Sequence, residues 1–148
     1  MASGKLEAIW LKRMKSGPMD AYSFTDLVAN RGIAGNTNQG GKRQVTIIEK
    51  ELWDELKTTL SEKIEPKMRR ANLMVSGIQL TNSRGKILRI GDCRIQIRGE
   101  TRPCEQMDAA YPGLREVLKS DWRGGVFGEV LDNGVIAVGD PVSWDATE

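Results

Sequence analysis

The sequence predicts a mainly β protein, a closed or partly open β-barrel carrying one main helix and short helical turns. Three observations support that expectation. Short segments that alternate or run apolar recur along the chain, turn-forming residues punctuate them at close spacing, and only two stretches change to a helical period. Many short strands without long crossover helices favour a barrel or sandwich over a parallel sheet. With 148 residues, 39% of them hydrophobic and 28% charged, the chain has ordinary globular composition and the length of one domain, taken as 1–148.

The elements follow in order. Lys5–Met14 is the first strand-like run, closed by the turn residues Ser16-Gly-Pro18. Gly32 to Gly41 is dense in glycine and asparagine, has Ile33 as its one hydrophobic anchor, and reads as a mobile rim. Gln44–Ile48 is the next strand. A helix follows over Lys50–Glu62, because Leu52, Trp53, Leu56 and Leu60 recur at three- and four-residue spacing, and Pro66 ends it. Leu73–Ile78 and Ile87–Ile90 are strands separated by Asn82-Ser-Arg-Gly85. Gly91-Asp92 then turns the chain into Cys93–Arg98, where strict alternation puts Cys93, Ile95 and Ile97 on one face and Arg94, Gln96 and Arg98 on the other. A short helix over Gly113–Lys119 shows Leu114, Val117 and Leu118 on one side. The strands Val126–Leu131, Val135–Val138 and Asp140–Trp144 complete the set, with Asp132-Asn-Gly134 as a hairpin signal between the first two.

Composition excludes several chemistries. The chain has no histidine, so a Ser-His-Asp or Cys-His catalytic arrangement cannot form within it, and cysteine–histidine zinc sites lose their imidazole. Two cysteines in 148 residues are not a disulfide framework, although their spacing is compatible with a bond between them; they suit a reduced, cytoplasmic protein. No apolar run is long enough to span a bilayer, and Met1-Ala-Ser-Gly-Lys lacks the apolar core of a signal peptide.

Cys104 is the candidate reactive residue. It stands in Gly99-Glu-Thr-Arg-Pro-Cys-Glu-Gln-Met107, behind a proline and two residues after Arg102, whose fixed charge favours the thiolate. The competing reading is a small apolar residue filling a gap. Cys93 shares its face with two isoleucines and reads as core.

Net charge is only +2, but it is unevenly placed. Lys67, Arg69, Arg70, Arg84, Lys86, Arg89, Arg94 and Arg98 fall between Pro66 and Gly99 with Asp92 as the sole acid, which suggests an anionic partner or ligand. Two loops pair consecutive glycines with cations before a strand: Gly40-Gly41-Lys42-Arg43 and Arg123-Gly124-Gly125. Such loops can bring backbone N–H groups and a guanidinium fork to a phosphate. Arg69-Arg70-Ala-Asn72, at a strand entrance, offers charge and a directional amide to a polar ring. An alternative is a nucleic-acid or protein-binding barrel using the outward face of Arg94, Gln96 and Arg98. Nucleic acid is the weaker choice, because aromatics make up 5% of the chain and Trp10, Trp53, Trp122 and Trp144 are not interleaved with the arginines.

Taken in order, Arg-Arg-Ala-Asn-Leu73, Val-Ser-Gly77, Ile-Gly-Asp92, Gly-Glu-Thr-Arg-Pro-Cys104, Arg-Gly-Gly-Val-Phe127 and Val-Gly-Asp-Pro-Val142 resemble a MOSC domain. This is the C-terminal domain of molybdenum cofactor sulfurases, found also as small stand-alone proteins. The resemblance runs from about Pro18 to Trp144. It implies a β-barrel and the handling of sulfur or molybdenum cofactor (molybdopterin), with sulfur transfer or reduction of N-hydroxylated substrates as the reaction. It places the persulfide-carrying or molybdenum-ligating cysteine on Cys104, and the residues contacting the pterin and its phosphate on Arg70 and Asn72. Thr101 and Arg102 fall in the motif beside the cysteine. With the two loops, the candidate cofactor-binding set is Arg43, Arg70, Asn72, Thr101, Arg102, Arg123, Gly124 and Gly125. The implied partners are a cysteine desulfurase, a molybdoenzyme or a redox protein. Where many members have aspartate and histidine before the Gln-Val-Thr strand, this chain has Asn36 and Asn38. Pyridoxal phosphate is not expected, since it belongs to the desulfurase domain of the larger members.

Overall fold

The computed structural model describes residues 4–15, 17–103 and 105–145, with backbone alone at residues 105 and 106. Seven strands close on themselves. In spatial order they are β1 (Gly4–Lys12), β6 (Leu73–Ser76), β5 (Val45–Glu49), β9 (Val126–Val130), β8 (Cys93–Glu100), β7 (Ile87–Ile90) and β11 (Pro141–Trp144), and β11 pairs back onto β1 through Gly4 with Val142 and Lys5 with Pro141. Every pairing is antiparallel except β5 with β6, which are joined through the helix α1 (Lys50–Thr59) and the 3-10 turn Pro66–Arg69. β2 (Met19–Tyr22) adds to the outside of β1. β10 (Gly134–Ala137), β3 (Phe24–Val28) and β4 (Gly32–Ile33) form a separate three-stranded sheet.

Two hydrophobic cores explain the sequence pattern. The barrel interior takes Leu6, Ile9, Val45, Ile47, Leu73, Val75, Leu88, Ile95, Ile97, Val126 and Val130, all buried. A second core lies outside the barrel, where Trp53 and Leu56 of α1, together with Met107 of α2 (Glu105–Ala110) and Leu114 of α3 (Leu114–Val117), pack with Trp10, Ile48 and Met74. β5 and β6 are thus covered on both faces. That is why Ile47-Ile48 and Leu73-Met-Val75 run continuously apolar, while β8, solvated on one side, alternates strictly. Cys93, Ile95 and Ile97 face inward as expected. Cys93 is a free thiol, and burial pushes its pKa up.

Several expectations are corrected. Asp132-Asn-Gly134 does not make a hairpin: β10 leaves the barrel and pairs with β3, Val135 opposite Asp26. Asp132 instead accepts from the Arg94 backbone N–H and guanidinium, and Asn133 Oδ1 accepts from Ala29 N–H. The main helix ends at Thr59, well before Pro66, which opens the 3-10 turn where a missing N–H costs nothing. The segment 32–41 is tethered: Ile33 is fully buried, Gln39 Nε2 donates to the carbonyls of Ile33 and Asn36, Thr37 donates twice to Lys12 O, and Gly40 N–H donates to Arg31 O. The short strands β2, β3 and β4 and the helix α2 add to the elements that the sequence pattern shows. Among the described residues, no helix is long and apolar enough to cross a membrane.

Candidate functional site

Where β1, β5 and β6 meet one end of the barrel, a cleft of about 230 Å³ opens. Lys12 ends β1 and Met19 begins β2. Asn36, Asn38 and Arg43 come from the loop between β4 and β5, Thr46 from β5, and Arg69, Arg70 and Asn72 from the run between the 3-10 turn and β6. Arg102 follows β8. Among the described residues, five cations and three asparagines line this hollow, and no acid does.

Each group is held by the local fold. Arg70 caps the 3-10 turn in the left-handed conformation (φ 60°), which a non-glycine residue adopts at a cost of about 1 kcal/mol or more. Its Nη2 donates to Gly17 O at 2.6 Å. Asn72 is the hub beneath the cleft. Its Oδ1 accepts from Thr46 N–H (3.1 Å) and Thr46 Oγ1 (3.2 Å), and its Nδ2 donates to Trp10 O (3.1 Å) and Asn36 Oδ1 (3.2 Å). Asn36 Oδ1 also accepts from Lys12 N–H, so the group Asn36 offers the cleft is its Nδ2 donor. Arg69, nearly buried, donates to the carbonyls of Gly124 (2.9 Å), Thr101 (3.3 Å) and Arg102 (3.4 Å), tying the cleft wall together. The Arg43 guanidinium lies over the Phe127 ring at 5.8 Å.

The charge crowding registers on Lys12. Burial lowers its pKa from the usual lysine range, and Arg70, Arg43 and then Lys15 lower it further. A bound anion would reverse that shift, so the cleft is electrostatically suited to negative charge.

Of the residues singled out in the sequence, Arg43, Arg70, Asn72 and Arg102 come together in this cleft. Thr101 and Gly124 stand beside it, lining a small adjoining hollow with Arg43, Thr46, Arg69 and Arg70. Their polar groups serve the wall: the Thr101 hydroxyl donates to Gly124 O, and Thr101 N–H donates to Gly125 O at 2.8 Å. Arg123 and Gly125 do not join the cleft. They line a separate hollow of about 80 Å³ with Glu49, Leu52, Thr81, Asp121 and Trp122. Arg123 Nη1 donates to Val117 O, and Gly125 N–H to Trp122 O. A Cβ on Gly125 would strike Ile47 O, so this glycine (φ 98°) serves backbone packing against β5. Cys104 lies outside the described residues, as does Ser16.

Lys12 and Thr46 are legible in the sequence only as parts of strand-like runs, and Asn36 and Asn38 only as the positions where many family members have aspartate and histidine; the fold brings all four to the cleft. On the outward face of β8 the arginines are matched by acids: Arg94 with Asp132 at 2.9 Å and Arg98 with Glu129 at 3.3 Å, while Gln96 makes a long contact to Gly85 O at 3.5 Å. The charge on that face is thus partly compensated, unlike that of the cleft.

Comparison with known proteins gives one family and one fold. A family model described as MOSC domain matches residues 33–143. No curated protein matches the chain. Among solved structures, the YuaD protein from Bacillus subtilis superposes with a TM-score of 0.80 at 21% identity, covering 99% of this chain and 97% of that one. YiiM from Escherichia coli gives a TM-score of 0.73 at 16% identity, covering 97% and 71% of the two chains. YiiM from Geobacillus stearothermophilus gives 0.77 at 15% identity, covering 97% and 75%.

Proposed function

This chain belongs to the MOSC domain family, which is associated with molybdenum cofactor sulfurases and sulfur handling, and on that premise we propose that it binds a phosphate-bearing cofactor of the molybdopterin type in the basic cleft and handles sulfur through Cys104. The cationic lining, without an acid among the described residues, is the observation that supports this reading. Guanidinium groups of Arg43, Arg70 and Arg102 and the Lys12 ammonium suit a phosphate; the amides of Asn36 and Asn38 suit the polar edge of a pterin. When bound, the group supplies the metal-centred redox or sulfur-accepting chemistry, and the protein supplies orientation and charge.

Cys104 supplies the soft nucleophile. Its thiolate attacks the terminal sulfur of a donor persulfide, such as that of a cysteine desulfurase. The new S–S bond forms as the donor's S–S bond breaks, leaving Cys104 as the persulfide and the donor as thiolate. In the same soft-donor capacity a cysteine thiolate can ligate molybdenum. Arg102 is mostly exposed and its contact with Glu100 is long, at 3.8 Å, so its charge stays available to the cleft and to an anion formed there.

The test is pterin fluorescence and molybdenum content of protein purified from a host that makes the cofactor. Arg70→Ala and Arg43→Ala should each weaken cofactor affinity about tenfold or more, the worth of a charge-assisted hydrogen bond. Cys104→Ser should retain the pterin and lose persulfide loading. A cofactor-free wild type under replete conditions, or full sulfur transfer by the serine variant, overturns the reading.

A further inference from the structure

The basic cleft continues past its own rim. A second, shallower hollow of about 490 Å³ is lined by residues 37–43, and it shares Asn38 and Arg43 with the cleft. Beyond those two shared residues it adds Lys42 and the consecutive glycines Gly40 and Gly41. Among the described residues, neither hollow is lined by an acid. Alone, the cleft of about 230 Å³ is smaller than the ~300–1,000 Å³ typical of ligand sites, so a ligand of ordinary size reaches beyond it.

The floor of the second hollow is built to hold its shape. Gly40 and Gly41 are both left-handed (φ 73° and 70°), and a Cβ on either would meet nothing within 4 Å. No neighbouring side chain crowds out a larger residue; the backbone conformation asks for glycine, and the space in front of it is open. The turn is fixed from behind by Gly40 N–H to Arg31 O at 2.8 Å and by Gln44 Nε2 to Gly41 O at 2.8 Å. Gln44 is itself buried and accepts from Val130 N–H on the barrel. A turn pinned this way has little backbone entropy left to lose, and it carries the exposed Lys42 at its end.

We propose that the anion this site takes is an organic diphosphate, with one phosphoryl group in the cleft at Arg70, Arg102 and Lys12, the second over the Gly40–Gly41 turn at Lys42, and Arg43 between them. The proposal rests on the cleft being a phosphate site, as argued above, and adds the second phosphoryl position. It also gives Arg43 a bridging role that Arg70, which does not line the second hollow, cannot have.

Titration calorimetry of the purified full chain at fixed ionic strength, with inorganic phosphate and inorganic pyrophosphate as probes, tests it. Pyrophosphate should bind at least about tenfold more tightly than phosphate, as one added charge-assisted contact allows. Lys42→Ala should remove most of that advantage while leaving phosphate affinity within about twofold, because Lys42 lines only the second hollow. Lys57→Ala, the same charge change on α1, should alter neither. Arg70→Ala should weaken both. If phosphate binds but pyrophosphate is no tighter, or if Lys42→Ala and Lys57→Ala have equal effects, the second position is refuted and the cleft reading stands. If wild type binds neither anion, both fail.

Discussion

Replacing Asn72 with alanine separates a ligand contact from a structural one. The resemblance assigns the asparagine at this position to the pterin, yet all four bonds formed by its side chain are internal, and the residue is only 5% exposed. Two of the partners are backbone groups, Thr46 N–H and Trp10 C=O, on strands β5 and β1 that flank β6 in the barrel. Asn36 Oδ1 keeps Lys12 N–H as a donor, and Thr46 Oγ1 keeps the Asn72 backbone N–H, so those two groups are only partly deprived. Each orphaned buried group costs about 1–3 kcal/mol. Two of them, with some relief from water entering the cleft, give about 2–4 kcal/mol in all. For a domain of this size that is a fall in Tm of roughly 4–16 °C. Denaturant unfolding should show it as a lower midpoint at unchanged slope, and anion affinity measured well below the transition should fall less than in Arg70→Ala. An Asn72→Ala variant within about 0.5 kcal/mol of wild type that nevertheless loses the anion would refute this reasoning, because it would make Asn72 a ligand group first.

Other outcomes follow from the same geometry. Because burial, Arg70 and Arg43 hold the Lys12 pKa down and an anion pushes it back up, binding should take up a proton at a pH between the free and the bound pKa. Anion affinity should be flat at low pH, then decline as pH rises through the lowered pKa of the free cleft; Lys12→Met should bind more weakly and abolish the decline. In thiol labelling of the native protein, buried Cys93 should stay unreactive until unfolding, and the label that enters first should vanish in Cys104→Ser. Gly125→Ala combines a left-handed backbone with a collision against Ile47 O, and should cost roughly 2–5 kcal/mol, read by thermal melting.

The sequence by itself determined the barrel, because burial imposes a period that survives in one dimension. Cys93, Ile95 and Ile97 alternate with Arg94, Gln96 and Arg98 since β8 has one dry and one wet face, and α1 shows its apolar stripe since it covers the barrel from outside. Short segments carry too few residues to show a period. β4 has two, and β3 exposes Phe24, Asp26 and Val28, so neither was legible. The cationic character of the site was legible at Arg43, Arg70 and Arg102, whose residue types advertise it. What only the tertiary structure decided is which charges remain for a ligand. Arg94 and Arg98 are matched across strands by Asp132 and Glu129, residues more than thirty positions away in the chain, whereas Lys12, Arg43 and Arg70 meet with no acid among them. Charge compensation depends on distance in space, and the pairing of β8 with β9 and of β1 with β6 sets those distances.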